Sequence, residues 1–101
     1  MNRINFENII GFDWDEANIN KSEEKHSVSF LESEQMFFNQ PLLINFDEYH
    51  SQSESRFFAL GKTNKDRLLM TVFTIRNNKI RVISSRDQSK KERKIYEKAN
   101  S

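Results

Sequence analysis

The sequence predicts an α+β domain in which a small, mostly antiparallel sheet is covered on one face by helices. Three observations predict it. Between residues 42 and 86, four apolar runs of strand character follow one another through turn signals. Two capping boxes, Ser29 with Glu32 and Ser89 with Glu92, open helices on either side of those runs. Nine Phe in 101 residues supply core volume to a single domain, residues 1–101, that has no cysteine and no disulfide to lean on. Hairpin-connected strands with helices at their two ends give this class, not a βαβ sheet.

Each element has its own reason. Gly11, Phe12, Asp13, Trp14 and Asp15 alternate aromatic with acidic side chains, a short strand with Phe12 and Trp14 buried. Asp15 is positioned to cap a helix over residues 16–25, acidic early and closing on Lys25 and His26 as the helix dipole favours. Ser29 opens a second helix whose stripe is Phe30, Leu31, Met36, Phe37 and Phe38, and Asn39, Gln40 and Pro41 stop it. Residues 42–46 are a strand, 47–54 a polar connection containing His50, 56–60 a strand, and 61–66 a turn. Residues 67–76 are apolar on both faces, which makes them the central strand. Asn77 and Asn78 form a two-residue hairpin into a strand over 79–86, and Ser89 opens a basic helix that runs to Lys98.

The net charge of +1 conceals an asymmetry. Residues 1–55 carry three basic and eleven acidic side chains, a balance of −8, whereas residues 56–101 carry thirteen and four, a balance of +9. A half so basic suits a polyanion, because clustered Lys and Arg release counterions from phosphates. It is equally the pattern of a solvated helix face. No window is apolar enough to span a membrane, and the N-terminus lacks the pattern of a signal peptide, so a cytoplasmic protein without membrane contact is expected. Gly11 and Gly61 are the only glycines, which excludes phosphate-cradling glycine loops. Two histidines without cysteine argue against a structural zinc site, so no metal and no cofactor are expected.

Several residues can carry chemistry. A period of two puts Ile80, Val82, Ser84 and Arg86 on one face of the last strand and Arg81, Ile83 and Ser85 on the other, one arginine to each face. Such arginines can grip a phosphate in two-pronged fashion, or pair with carboxylates of the acidic half. His26 can shuttle a proton or only cap its helix, and His50 sits in a polar loop. Glu54, two residues before Arg56, is a candidate base or a solvated loop carboxylate. Tyr96 can stack on a base or cover the sheet edge.

In order and spacing, the chain resembles the BrnT family of toxins. The residues that carry the resemblance are Phe12-Asp13-Trp14-Asp15, residues 25–30 beginning Lys25-His26, Ser53-Glu54-Ser55-Arg56-Phe57, Gly61, Arg67-Leu68-Leu69, Arg76, residues 81–86 from Arg81 to Arg86, Lys91-Glu92-Arg93 and Tyr96-Glu97. The resemblance implies a RelE-like ribonuclease fold and a type II toxin–antitoxin system in which the toxin cleaves RNA and blocks translation. It implies a BrnA partner of ribbon-helix-helix kind, through which alone promoter DNA is reached. Carried over by position, the matching residues are Lys25, His26, Glu54, Arg56, Arg67, Arg76, Arg81 and Arg86. Of these Lys25, His26, Glu54, Arg81 and Arg86 are the expected catalytic set, and Arg56, Arg67 and Arg76, together with Tyr96, the expected RNA contacts.

The chemistry expected of that set is metal-independent. Glu54 or His26 takes the 2′-hydroxyl proton, Arg81 and Arg86 stabilise the phosphorane, and Lys25 or His26 protonates the leaving 5′-oxygen. An inactive homologue that serves only as its antitoxin's binding partner and co-repressor is the alternative. The chain departs from the family pattern at Ser27, where relatives have glycine, at Ser22, where asparagine is common, and at Ile75, where relatives often have glutamate.

Overall fold

Capping and alternation set the elements in the expected order. They are strand β1 (Gly11–Phe12), helices α1 (Lys21–His26) and α2 (Phe30–Met36), strands β2 (Leu43–Phe46), β3 (Arg56–Lys62), β4 (Leu68–Arg76) and β5 (Lys79–Asp87), and helix α3 (Lys90–Asn100). The computed structural model describes residues 6–16, 18–49 and 54–100; His50 and Ser53 lie outside them. The five strands form one sheet in the order β1-β5-β4-β3-β2, antiparallel except for the β1–β5 pair. The central strand is β4, as its two apolar faces require. None of the described helices is long and apolar enough to cross a membrane.

The local signals act as read. The Glu32 amide donates to Ser29 Oγ at 3.2 Å and the Ser29 amide to Glu32 Oε1 at 3.1 Å; Ser89 and Glu92 repeat the exchange at 3.2 and 2.8 Å. Asn77 and Asn78 both take positive φ, 51° and 62°, the turn that matches the twist of a hairpin.

Three expectations are corrected. Helix α1 begins at Lys21, not at residue 16, because Asp15 and Asn18 exchange hydrogen bonds, amide to side-chain oxygen, at 2.9 and 2.8 Å. Short polar side chains here compete with the helical backbone and hold a turn instead. The turn after β3 starts at Thr63, since Gly61 and Lys62 continue the strand. A Cβ on Gly61 would lie 3.0 Å from Met36 Cε and 3.2 Å from the Met36 carbonyl, so this glycine lets α2 settle on β3.

The third correction concerns the layers. Val28 and Met36, of the α1–α2 layer, pack with Phe57, Ala59, Leu69, Phe73, Ile80 and Val82 on one face. On the other face Tyr96 of α3 packs with Leu60 and Met70. Helices therefore cover both faces rather than one, as a central strand apolar on both sides demands. Beneath α1 and α2, Ser85 is the hub of a buried polar chain. Its amide donates to Ser22 Oγ, and its hydroxyl meets those of Ser33 and Thr71, each at 2.8 Å. Buried hydroxyls that satisfy one another fix the helix layer to β4 and β5 without an orphaned group.

Candidate active site

The geometry of the site starts from an irregularity in β5. Val72 stands opposite Ser84, yet the next residue, Phe73, stands opposite Val82, so Ile83 is an extra residue that inverts the alternation. Arg86 is opposite Met70 and Arg81 opposite Thr74, and Met70 and Thr74 share a face of β4. Arg81 and Arg86 thus lie on the same face, which corrects the expectation of one arginine to each. Arg56, opposite Thr74 on β3, and Arg76, two residues beyond Thr74, share that face. It is the face that α3 covers at its other end, through Tyr96.

Carboxylates interleave with these arginines. Glu54 takes hydrogen bonds from Arg76 Nε and Nη2, both at 2.9 Å, in the two-pronged geometry typical of guanidinium and carboxylate. Arg81 Nη2 donates to Asp15 Oδ2 at 2.7 Å, and Arg81 Nη1 lies 3.5 Å from Asp13 Oδ2. The Arg76 hydrogen bond holds the Glu54 carboxyl below the usual carboxylate range against partial burial, and the charges of Arg76, Arg56 and Arg81 add to it. Arg76 is pushed up in turn by Glu54, with help from Asp13 and Asp15. Three guanidiniums and three carboxylates so form one group. Within it Arg81 is held, with 19% of its side chain exposed, while Arg76 at 48% is open to an incoming anion.

Arg86 shares the face but not the group. It grips Glu92 at 2.8 and 3.0 Å, about 15 Å along β5 from Arg81 at the rise of a strand. Its hydrogen bond to Glu92 keeps that carboxyl low despite partial burial.

The remaining candidates gather elsewhere. Arg67 donates through Nε and Nη2 to Asp87 at 2.7 and 3.2 Å, and through Nη1 to Glu32 at 3.1 Å. It also reaches the carbonyls of Ser27 at 2.9 Å and His26 at 3.4 Å. It is committed to joining the end of α1 and the start of α2 to β5. Asp87 is held low by the Arg67 hydrogen bond against partial burial, with the charges of Arg67, Arg93 and His26 adding. Burial works to raise Glu32, but the Ser29 amide and Arg67 outweigh it and hold it low. Lys25 and His26 close α1, and Arg67 ties the His26 carbonyl to Asp87, which stands six residues along β5 from Arg81. Tyr96 is fully buried and its hydroxyl donates to the Pro41 carbonyl at 2.6 Å, so it covers the sheet and presents no ring to a base.

Asp13 and Asp15 were missed as partners of Arg81. Although β1 ends at Phe12 rather than Asp15, the alternation carries on beyond it: Phe12 and Trp14 pack half-buried on the core and both aspartates turn to the opposite face. Ile75 packs on the apolar core under α1 and α2, so a glutamate at this position would face away from the arginines.

No curated protein matches the chain. A family model described as "Ribonuclease toxin, BrnT, of type II toxin-antitoxin system" matches residues 14–92. That span holds the β5 bulge and the whole arginine group except Asp13. The match covers most of the sequence, and the chain belongs to the BrnT family of ribonuclease toxins of type II toxin–antitoxin systems.

Proposed function

We propose that this toxin cleaves RNA without a metal ion, and that the reaction takes place at the group formed by Glu54, Arg56, Arg76 and Arg81. The observation that carries this reading is the bulge at Ile83, which brings Arg81 onto the face of Arg56, Arg76 and Glu54. A backbone phosphate competes with Glu54 for Arg76, which is more exposed than Arg81. Released from Arg76, the Glu54 carboxylate rises toward its ordinary basicity and takes the 2′-hydroxyl proton. The 2′-oxygen attacks the adjacent phosphorus, Arg81 and Arg56 oppose the charge that builds on the phosphoryl oxygens, and the P–O5′ bond breaks. The leaving oxygen takes its proton from solvent, giving a 2′,3′-cyclic phosphate and a 5′-hydroxyl. Arg86 and the basic residues of α3, five against two acidic, hold flanking backbone. Lys25 and His26 take no step in this scheme. Neutralisation falls to a BrnA-type ribbon-helix-helix antitoxin, which blocks RNA by covering the arginine face and carries the pair to promoter DNA.

A second reading, a chain that binds its antitoxin without cutting RNA, draws on one observation: both Glu54 oxygens are tied to Arg76, which makes a weak base. Incubating purified protein with single-stranded RNA in EDTA separates the two. The first reading expects products with cyclic phosphate ends and growth arrest on expression without antitoxin, both abolished by combined Arg81→Ala and Arg86→Ala changes. Cleavage that stops with chelator, or survives the double change, sinks it. Absence of both cleavage and growth arrest favours the second.

A further inference from the structure

We propose that Asp13 and Asp15 are positioning residues for Arg81, an inference that rests on reading Arg81 as a phosphate-binding group. An arginine side chain has several free torsions, and a group that stabilises a transition state must be held to within a fraction of an ångström. Asp15 Oδ2 takes one terminal nitrogen of Arg81 at 2.7 Å and Asp13 Oδ2 lies 3.5 Å from the other, so the fork is gripped from the β1 side.

The support behind that grip is rigid. The Asp13 amide donates to the Ile80 carbonyl at 2.8 Å and Asn18 Nδ2 to the Val82 carbonyl at 3.2 Å, so the segment is bonded to β5 immediately before and after Arg81. On its buried side Phe12 packs edge-on against Phe37, and Trp14 Nε1 donates to Glu34 at 2.7 Å. With so many other anchors, the segment does not need the ion pair to stay in place, and partly exposed ion pairs add little stability. The carboxylates also repel a phosphate, so a face shaped only to bind RNA is better without them. What they contribute is the placement of the guanidinium.

Opposed effects on the two kinetic constants follow, and they make the test. Asp13→Asn combined with Asp15→Asn removes both charges. An asparagine at 15 retains an Oδ1 to accept the Asn18 amide, so the turn is kept. The expected result, on a short single-stranded RNA, is a kcat lowered by about 10- to 100-fold with a KM that stays level or falls, at unchanged melting temperature. If the double variant fails to fold, Asp13→Asn alone serves, because no described hydrogen bond of its side chain shapes the turn, and the same split is expected at smaller size. An unchanged kcat, or a lower kcat with a higher KM, overturns the proposal. Arg81→Ala run beside it distinguishes the failures. If Arg81→Ala cleaves like the wild type, the underlying reading is wrong; if it is inactive while the aspartate variant keeps its kcat, only the positioning role is wrong.

Discussion

Ser27 closes α1 in the left-handed region, at φ 57° and ψ 33°, where a β-carbon crowds the backbone and glycine does not. Its amide bonds to the Glu23 carbonyl at 3.0 Å and the Val28 amide to the Ser22 carbonyl at 3.2 Å, so the conformation is imposed by the cap and the serine bears the strain. Ser27→Gly is expected to stabilise the protein by about 1 kcal/mol, raising the melting temperature by about 4–8 °C; circular dichroism on heating measures it, and a decrease contradicts it. The cost of a serine here is local. Ser22 bears no such strain, and its hydroxyl is a buried acceptor for the Ser85 amide. Ile83 is the opposite case. Residues 80–86 alternate without any mark of a bulge, because the extra residue is fixed by how β5 pairs with β4, and pairing is a tertiary event. Period-two alternation therefore puts Arg81 and Arg86 on opposite faces, where the pairing places them on one.

At the scale of elements, capping boxes and hairpin asparagines were readable because each signal and its partner lie within three residues. The contacts of Arg67 were not readable. Nothing nearby in sequence shows that it will meet Ser27, Glu32 and Asp87, which come from three other places in the chain. Arg67→Ala removes the hydrogen bonds to the Ser27 and His26 carbonyls and leaves the half-buried Glu32 without its partner, while the exposed Asp87 is taken up by water, and a loss of about 1–2 kcal/mol is expected. Urea denaturation checks it, and a midpoint equal to the wild type contradicts it. In the folded fraction, RNA cleavage is expected to persist, since Arg67 lies in the group opposite the one assigned to catalysis.

For the whole molecule, the near-zero net charge resolves into pairing across the two halves: Asp13 and Asp15 with Arg81, Glu54 with Arg76, Glu32 with Arg67. Glu32, Glu54, Asp87 and Glu92 all have folded values below their ordinary ones of 4.5 for Glu and 3.8 for Asp. A carboxyl lowered by folding adds stability that is complete above its unfolded value and is lost as pH falls through its folded value. The melting temperature is therefore expected to be level from about pH 5 to 8 and to drop from about pH 4.5 downward. A thermal titration to pH 3 tests this, and a flat profile contradicts it. Composition had revealed the asymmetry of charge but could not say that so much of it is spent within the molecule.

The arginine group on β3, β4 and β5 and the Lys25–His26 end of α1 make opposite demands on one measurement, the single-turnover rate of RNA cleavage. Arg81→Ala is expected to slow it by about 100-fold or more, while Lys25→Ala with His26→Ala leaves the rate unchanged. The reverse pattern, full activity without Arg81 and loss without Lys25 and His26, contradicts the assignment of the reaction to the arginine face.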